Sequence, residues 1–184
     1  MAQERAVFLF DGPNFYKNLQ HSRLIKGNLN IMSLATSFAG PRQVIGVFFY
    51  TSPTDQKTDS DNYAKQQKFF AALQSSGIEL KLGKLVRRSK VCPTCNEQYW
   101  FKTEKSVDVQ LAMALVLGAT KNEWDVAYLV SCDSDLIPAV EYARSIGKKV
   151  FLIMPEGARC YGVGTACNKT LTITQDRINQ CQVL

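Results

Sequence analysis

Short apolar runs alternate along the chain with longer segments in which apolar residues recur at helical spacing. The apolar runs predict strands at residues 6–11, 44–50, 78–85, 125–131, 150–154 and 171–174. The helical spacing predicts helices at residues 16–19, 30–39, 61–75, 105–119 and 135–146. Strands that alternate with helices predict an α/β fold, a three-layer sandwich around a mostly parallel sheet.

Residues 86–102 interrupt this alternation. The segment is basic, contains Cys92-Pro93-Thr94-Cys95, and then becomes aromatic at Tyr99-Trp100-Phe101. We therefore expect a small hairpin-like, cysteine-containing insertion outside the main layers. Because the sequence has no internal repeat and no low-complexity linker, residues 1–184 are expected to form a single domain.

Basic charge is concentrated around this insertion. Residues 79–105 contain seven basic and three acidic residues, which is +4 of the chain's net charge of +6. Basic charge beside aromatic rings suits a polyanion with stacking bases, such as RNA. The alternative is an ordinary solvated surface with long lysine side chains.

The composition suits a globular protein that does not enter membranes. Of its 184 residues, 46% are hydrophobic and 21% are charged, which fits a folded domain with a full core. No apolar run is long enough to cross a bilayer, and the first residues lack the layout of a signal peptide. We expect a cytoplasmic protein with no membrane partner.

Four aspartates fall where the predicted fold would bring them together. Asp11 and Asp133 follow apolar strands, Asp135 comes two residues later, and Asp108 lies on a predicted helix. Ligands of open α/β sheets bind at the carboxyl ends of the strands. Carboxylate oxygens select hard cations, so this cluster predicts a Mg²⁺ or Mn²⁺ site that would suit phosphoryl chemistry.

Each acid also has a purely structural explanation. Asp11 precedes Gly12-Pro13 and could cap a helix, and Asp133 and Asp135 are also good helix-starting residues. Asp108 lies on the edge of an apolar helix stripe, where it is expected to point inward and to need a positive partner. That partner is either a metal or a basic side chain such as Lys105.

Several segments together resemble the NYN domain, specifically the LabA-like branch of the PIN-like nuclease superfamily. They are Asp11-Gly12-Pro13-Asn14, Lys105-Ser106-Val107-Asp108, Ser131-Cys132-Asp133-Ser134-Asp135 and Gly147-Lys148-Lys149-Val150. The resemblance implies a PIN-like fold and metal-dependent ribonuclease activity. It also implies that the four aspartates hold the metal and that Asn14 orients Asp11 or the substrate. Cys132 and Ser106 stand where the family usually has glycine.

The leading hypothesis is hydrolysis of RNA phosphodiester bonds by metal-activated water. The catalytic candidates are the four aspartates, and the substrate-binding candidates are Asn14, Lys84, Arg87, Arg88, Lys105 and Ser134. The alternative is an RNA-binding or regulatory protein of the same fold with little or no nuclease activity. His21 is the only histidine, so an acid–base ribonuclease with two histidines is excluded.

Cys92 and Cys95 have the spacing of half a tetrahedral zinc site. Cys160 and Cys167 could complete it if their segment folds over the insertion, or a second chain could contribute its own pair in a homodimer. The alternative is two reduced thiols in a turn. The cysteines do not suggest a disulfide framework. Cys132 is expected to be a small buried side chain, and Cys181 a tail residue.

Overall fold

A six-stranded, fully parallel sheet forms the centre of the fold. The computed structural model describes residues 2–24, 29–57 and 59–181. The strands of the sheet are β1 (Arg5–Asp11), β2 (Gln43–Thr51), β3 (Glu79–Leu82), β6 (Val126–Val130), β7 (Lys149–Pro155) and β8 (Lys169–Ile173). Their order across the sheet is β3-β2-β1-β6-β7-β8, with every neighbouring pair parallel. This arrangement confirms the predicted α/β class.

Helices cover both faces of the sheet. They are α1 (Gly12–His21), α2 (Ile31–Ala39), α3 (Ser60–Ser75), α4 (Val107–Thr120), α5 (Ile137–Ser145), α6 (Val163–Ala166) and α7 (Gln175–Gln180). The buried residues of α1, α2, α3 and α7 pack on one face, and those of α4, α5 and α6 pack on the other. The short helices α6 and α7 were not predicted. No helix in these described ranges is long and apolar enough to span a membrane.

The apolar runs are continuous because both faces of the sheet are covered. In β1, Ala6, Phe8 and Phe10 point into one layer, while Val7 and Leu9 point into the other. The Phe8 ring stacks on that of Tyr128 in the neighbouring strand β6, with 4.3 Å between the ring centres. The two central strands are thereby fixed against each other.

The insertion is a separate antiparallel hairpin of β4 (Lys84–Val91) and β5 (Gln98–Lys105). It is longer than the predicted 86–102, because its ladder of pairs continues down to Lys84 and Lys105. The predicted strand 78–85 is wrong at its end, since Gly83 separates β3 from β4. A side chain there would come within 2.8 Å of Val107 and 2.7 Å of the Lys105 carbonyl. Since β5 runs to Lys105, helix α4 starts at Val107, later than predicted.

Two predictions about cysteines are wrong. Cys132 is half-buried and forms a disulfide with Cys160, with their Cα atoms 4.5 Å apart. The two residues follow β6 and β7, whose carboxyl ends adjoin, but their separation of 28 residues hid this proximity in the sequence. Cys181 is no tail residue: it is buried among the core residues of α1, α2 and α7.

Candidate metal and nucleic-acid site

The site begins where β1 and β6 end side by side at the centre of the sheet. Phe10 of β1 pairs with Val130 of β6, so the next residues, Asp11 and Ser131, are also neighbours. The Ser131 hydroxyl donates a 2.7 Å hydrogen bond to Oδ2 of Asp11 and accepts one of 3.1 Å from the Asp133 N–H. The register of the parallel strands therefore places two of the predicted acids at one edge, as the sequence indicated.

Asp11 is a buried carboxylate, only 4% exposed. Its Oδ1 accepts a 3.2 Å hydrogen bond from the Asn14 N–H, so it caps α1 as the structural explanation proposed. Its pKa is raised to about 6, chiefly because burial disfavours the charged form; the negative charges of Asp108 and Asp133 add to the rise, and the hydrogen bonds from Ser131 and Asn14 oppose it. In the described part of the chain no basic side chain pairs with it.

Asn14 joins α1 to the loop after β6. Its side-chain oxygen accepts a 2.9 Å hydrogen bond from the Cys132 N–H and a 2.7 Å hydrogen bond from the Asn18 side chain. Asn14 therefore holds the backbone just before Asp133 as well as the carboxylate of Asp11. The expected orienting role of this residue has a structural basis in these contacts.

Asp133 and Asp135 belong to the same loop but face different surroundings. Asp133 accepts a 3.0 Å hydrogen bond from the Asp135 N–H and caps a 3₁₀ turn, Ser134–Leu136. Asp133 also lines the cleft that contains Asp11, whereas Asp135 and Ser134 are exposed and do not line it. Of the acids in this loop, Asp133 is the one placed to act together with Asp11.

Asp108 reaches the cleft from the first turn of α4. The expectation that it points into the interior is wrong, because the side chain is exposed at the cleft mouth. Lys105 is not its ion-pair partner in the described residues. Loss of solvent in the cleft raises the pKa of Asp108, as do the charges of Asp133 and Asp135. The negative field of the loop therefore extends to this helix.

The cleft has a volume of about 460 Å³ and joins three parts of the fold. It is lined by Asp11, Pro13, Asn14, Lys17, Glu104, Lys105, Ser106, Val107, Asp108, Val109 and Asp133. Lys17 was missed because the predicted helix began at Tyr16 and so did not include Asn14, whereas α1 begins at Gly12 and carries both residues. Its spacing of three residues from Asn14 on one helix is the signal that could have revealed it. Ser131 was also missed, although it lies directly opposite Asp11.

The hairpin begins at the cleft and has two different faces. Side chains alternate between faces along each strand, and the pairing of β4 with β5 fixes which residues share one. One face, here called the basic face, carries Lys84, Arg88, Lys90 and Lys105 with Tyr99 and Phe101, and no acidic residue. The opposite face carries Arg87, Trp100, Lys102 and Glu104.

The candidate substrate-binding residues of the hairpin are thus divided between its faces. Lys84, Arg88 and Lys105 share the basic face, and Lys105 also lines the cleft. Arg87 lies on the opposite face, where its guanidinium is 4.3 Å from the centre of the Trp100 ring. On that face Lys102 forms an ion pair with Asp55. The basic face therefore extends away from the cleft, and it has no acidic side chain that could pair with its cations.

The sequence profile of the NYN domain family matches residues 5–173. The chain belongs to the NYN domain family. An NYN domain is a nuclease-type fold of the PIN-like superfamily, which agrees with the parallel sheet and flanking helices. The match does not separate the branches of the family, so the LabA-like assignment stays a prediction.

A solved structure supports the same fold. The crystal structure of a protein of unknown function from Vibrio parahaemolyticus is similar to this NYN domain, with a TM-score of 0.68. The two chains are 18% identical, and the similarity covers 93% of each. At this identity the likeness supports the fold alone. Among curated proteins, no sequence relative was found.

Proposed function

We propose that this NYN domain is a metal-dependent ribonuclease that hydrolyses RNA phosphodiester bonds. The observation that carries the proposal is that Asp11, Asp108 and Asp133 line one cleft although they come from β1, α4 and the loop after β6. Within the described residues none of the three carboxylates forms an ion pair, and the neighbouring negative charges raise the pKa of Asp11 and of Asp108. A divalent cation would relieve this repulsion.

The donor set fits Mg²⁺ or Mn²⁺. Every candidate ligand is a carboxylate oxygen, which suits hard cations better than zinc. Among the described residues, no three acidic, histidine or cysteine side chains converge closely enough to surround an ion as they stand. Binding would thus require the exposed Asp108 and the half-exposed Asp133 to turn toward the buried Asp11, with Asp135 available from the same loop.

The residues of the site would have separate roles around a bound metal ion. A bound divalent cation supplies water activation and neutralises phosphate charge. Ser131 and Asn14 hold the Asp11 carboxylate in place, and Asn14 also holds the loop that carries Asp133. Lys17 and Lys105 line the same cleft and would bind the phosphates on either side of the scissile bond.

The basic face supports single-stranded RNA as the substrate class. Its four cations provide phosphate contacts, and Tyr99, which is exposed, and Phe101 provide rings on which bases can stack. The ring centres of Tyr99 and Phe101 are 6.0 Å apart. The Lys90 ammonium lies 5.5 Å from the centre of the Phe101 ring. A strand bound along this face would enter the cleft at Lys105.

The decisive experiment measures cleavage of labelled single-stranded RNA with Mg²⁺, with Mn²⁺ and with chelator. We expect metal-dependent cleavage that Asp133→Asn abolishes, since asparagine keeps the cap of the 3₁₀ turn but loses the charge. Glu141→Gln, an exposed change in α5, is the matched control and should cleave like the wild type. DNA of the same sequence tests the preference for RNA.

The alternative is an RNA-binding or regulatory role without turnover. Carboxylates facing a phosphate backbone oppose binding, so a pure binding protein would gain from their removal. If the wild type cleaves nothing in either metal and Asp133→Asn binds RNA more tightly, the regulatory hypothesis replaces the ribonuclease. If neither protein binds or cleaves RNA, both hypotheses fail.

A further inference from the structure

The tip of the hairpin folds as a compact thiol turn. The Cys92 N–H donates a 2.8 Å hydrogen bond to the Glu97 carbonyl, and the Asn96 N–H donates one of 2.9 Å to the Cys92 carbonyl. Asn96 adopts the left-handed conformation with φ 56°, which turns the chain back into β5. The turn from Cys92 to Glu97 is therefore closed by its own backbone.

Both free cysteines of the tip belong to this turn. Val91, just before Cys92, pairs with Gln98 across the hairpin, and Cys95 is exposed three residues after Cys92. Two cysteines at this spacing in a tight turn closed by its own backbone match one half of a tetrahedral zinc site.

Among the described residues, no other side chains are placed to supply the other half. Cys132 and Cys160 are bonded to each other, Cys167 and Cys181 are buried in the two core clusters, and the single histidine, His21, is in α1. No group of three potential ligands occurs in residues 2–24, 29–57 and 59–181. The nine remaining residues include no cysteine, histidine, aspartate or glutamate. The expectation that Cys160 and Cys167 complete the site is therefore wrong.

We propose that two copies of this chain share one zinc ion, each contributing Cys92 and Cys95 from its hairpin tip. A two-fold axis through the ion would give four thiolates in a closed, symmetric interface. The tip is free to meet a second copy, since Cys95 is exposed and the neighbouring Val91 and Trp100 are 59% and 55% exposed.

The zinc bridge would compensate part of the charge repulsion between two hairpins and would stabilise each of them. A zinc ion with four thiolates carries two net negative charges, and each hairpin between Lys84 and Lys105 has six basic and two acidic residues. The bridge would thus offset part of the repulsion between the hairpins. An isolated two-stranded hairpin is marginally stable, so a metal bound at its turn would also order the strands that carry the basic face.

The test uses the full chain purified with zinc under oxygen-free conditions and without added reductant, so that the free thiols stay reduced and the Cys132–Cys160 disulfide stays intact. We expect half a zinc ion per chain by elemental analysis and a dimer by light scattering. Chelator should remove the zinc and leave monomers with unchanged helix content. Cobalt substitution should give the intense visible absorption of tetrahedral thiolate-bound Co²⁺.

Two variants separate the zinc bridge from other causes of dimerisation. The double variant Cys92→Ser with Cys95→Ser should contain no zinc and be monomeric, while Cys167→Ala keeps half a zinc ion per chain. A monomer that contains one zinc ion per chain would show that two chains do not share the ion. A chain without zinc, or a dimer that survives both chelator and the double variant, would overturn the zinc bridge itself. None of these readouts requires nuclease activity, so the outcome is independent of the proposed function.

Discussion

Replacing Asp11 with asparagine should make the metal-free protein more stable at neutral pH. Asp11 is buried in the cleft, and its pKa is raised from 3.8 to about 6. The folded state therefore holds the proton more tightly than the unfolded state does. As pH rises from about 4 to 6, the unfolded chain ionises first, so the wild type loses stability over this range. Above pH 6 the loss stays constant.

The size of the effect follows from the pKa and from the hydrogen bonds. A pKa difference of roughly two is worth about 3 kcal/mol, since each unit corresponds to about 1.4 kcal/mol. Asparagine can still cap α1, but it cannot accept the hydrogen bonds of both Asn14 and Ser131 as they stand, which costs about 1 kcal/mol. The net gain above pH 7 is about 2 kcal/mol, or a rise in Tm of about 4–8 °C.

The assay is denaturant unfolding in chelator at pH 4.5 and at pH 7.5, with Glu141→Gln as an exposed control. The asparagine variant should be about as stable as the wild type, or slightly less stable, at pH 4.5, and clearly more stable at pH 7.5. Added Mn²⁺ should stabilise the wild type more than the variant. Two results would refute the argument that ionised Asp11 destabilises the folded protein. The variant could be less stable than the wild type at pH 7.5, or the difference in unfolding free energy between the two proteins could be the same at both pH values.

Three further changes test other parts of the structure. Ser106 has φ 80° and its side chain makes no capping hydrogen bond, so Ser106→Gly should raise the unfolding free energy by about 1 kcal/mol. The control Ala64→Gly, at an exposed position inside α3, should lower it by about 0.5–1 kcal/mol. If Ser106→Gly brings no gain in stability, or if both variants gain, the argument for backbone strain at Ser106 fails. Without reductant, thiol titration of denatured protein should count four cysteines rather than six. Reducing the 28-residue disulfide loop should cost about 3–4 kcal/mol in unfolding experiments, and six reactive thiols would exclude the bond. Arg88→Gln should reduce the salt dependence of RNA binding to Asp133→Asn protein by about 0.7 in log–log slope, whereas Arg87→Gln on the opposite face should change it less; equal effects would reject the basic face.

The sequence was sufficient for the layers of the fold because the strongest signals are local. The continuous apolar runs that become β1, β2, β6 and β7 can be buried only in a covered parallel sheet, and the intervening helices follow from spacing. The order of β1 and β6 also placed Asp11 beside the loop of Asp133. These predictions depend on short stretches of chain and on one rule of parallel topology.

The errors arise where distant segments decide the outcome. Gly83 ends β3 because the Lys105 carbonyl and Val107 crowd it, and neither contact is visible in the run of residues 78–85. Asp108 was placed inward by helix periodicity, yet the cleft beside β1 exposes it. The Cys132–Cys160 bond depends on the adjacency of β6 and β7 and has no local signal.

The pairing of β1 with β6 determines when the site can exist. Paired residues of these strands are 120 residues apart in sequence, while those of β1 and β2 are only 38 or 39 residues apart. During synthesis, an emerging chain can form the β1–β2 pair early, but it contains neither Ser131 nor Asp133. Asp11 therefore remains without its hydroxyl partner and its companion carboxylate until about three quarters of the domain has left the ribosome. The nascent chain therefore cannot form the metal site during most of its synthesis. Over that interval the incomplete sheet exposes the edge of β1, and a chaperone would be most useful then.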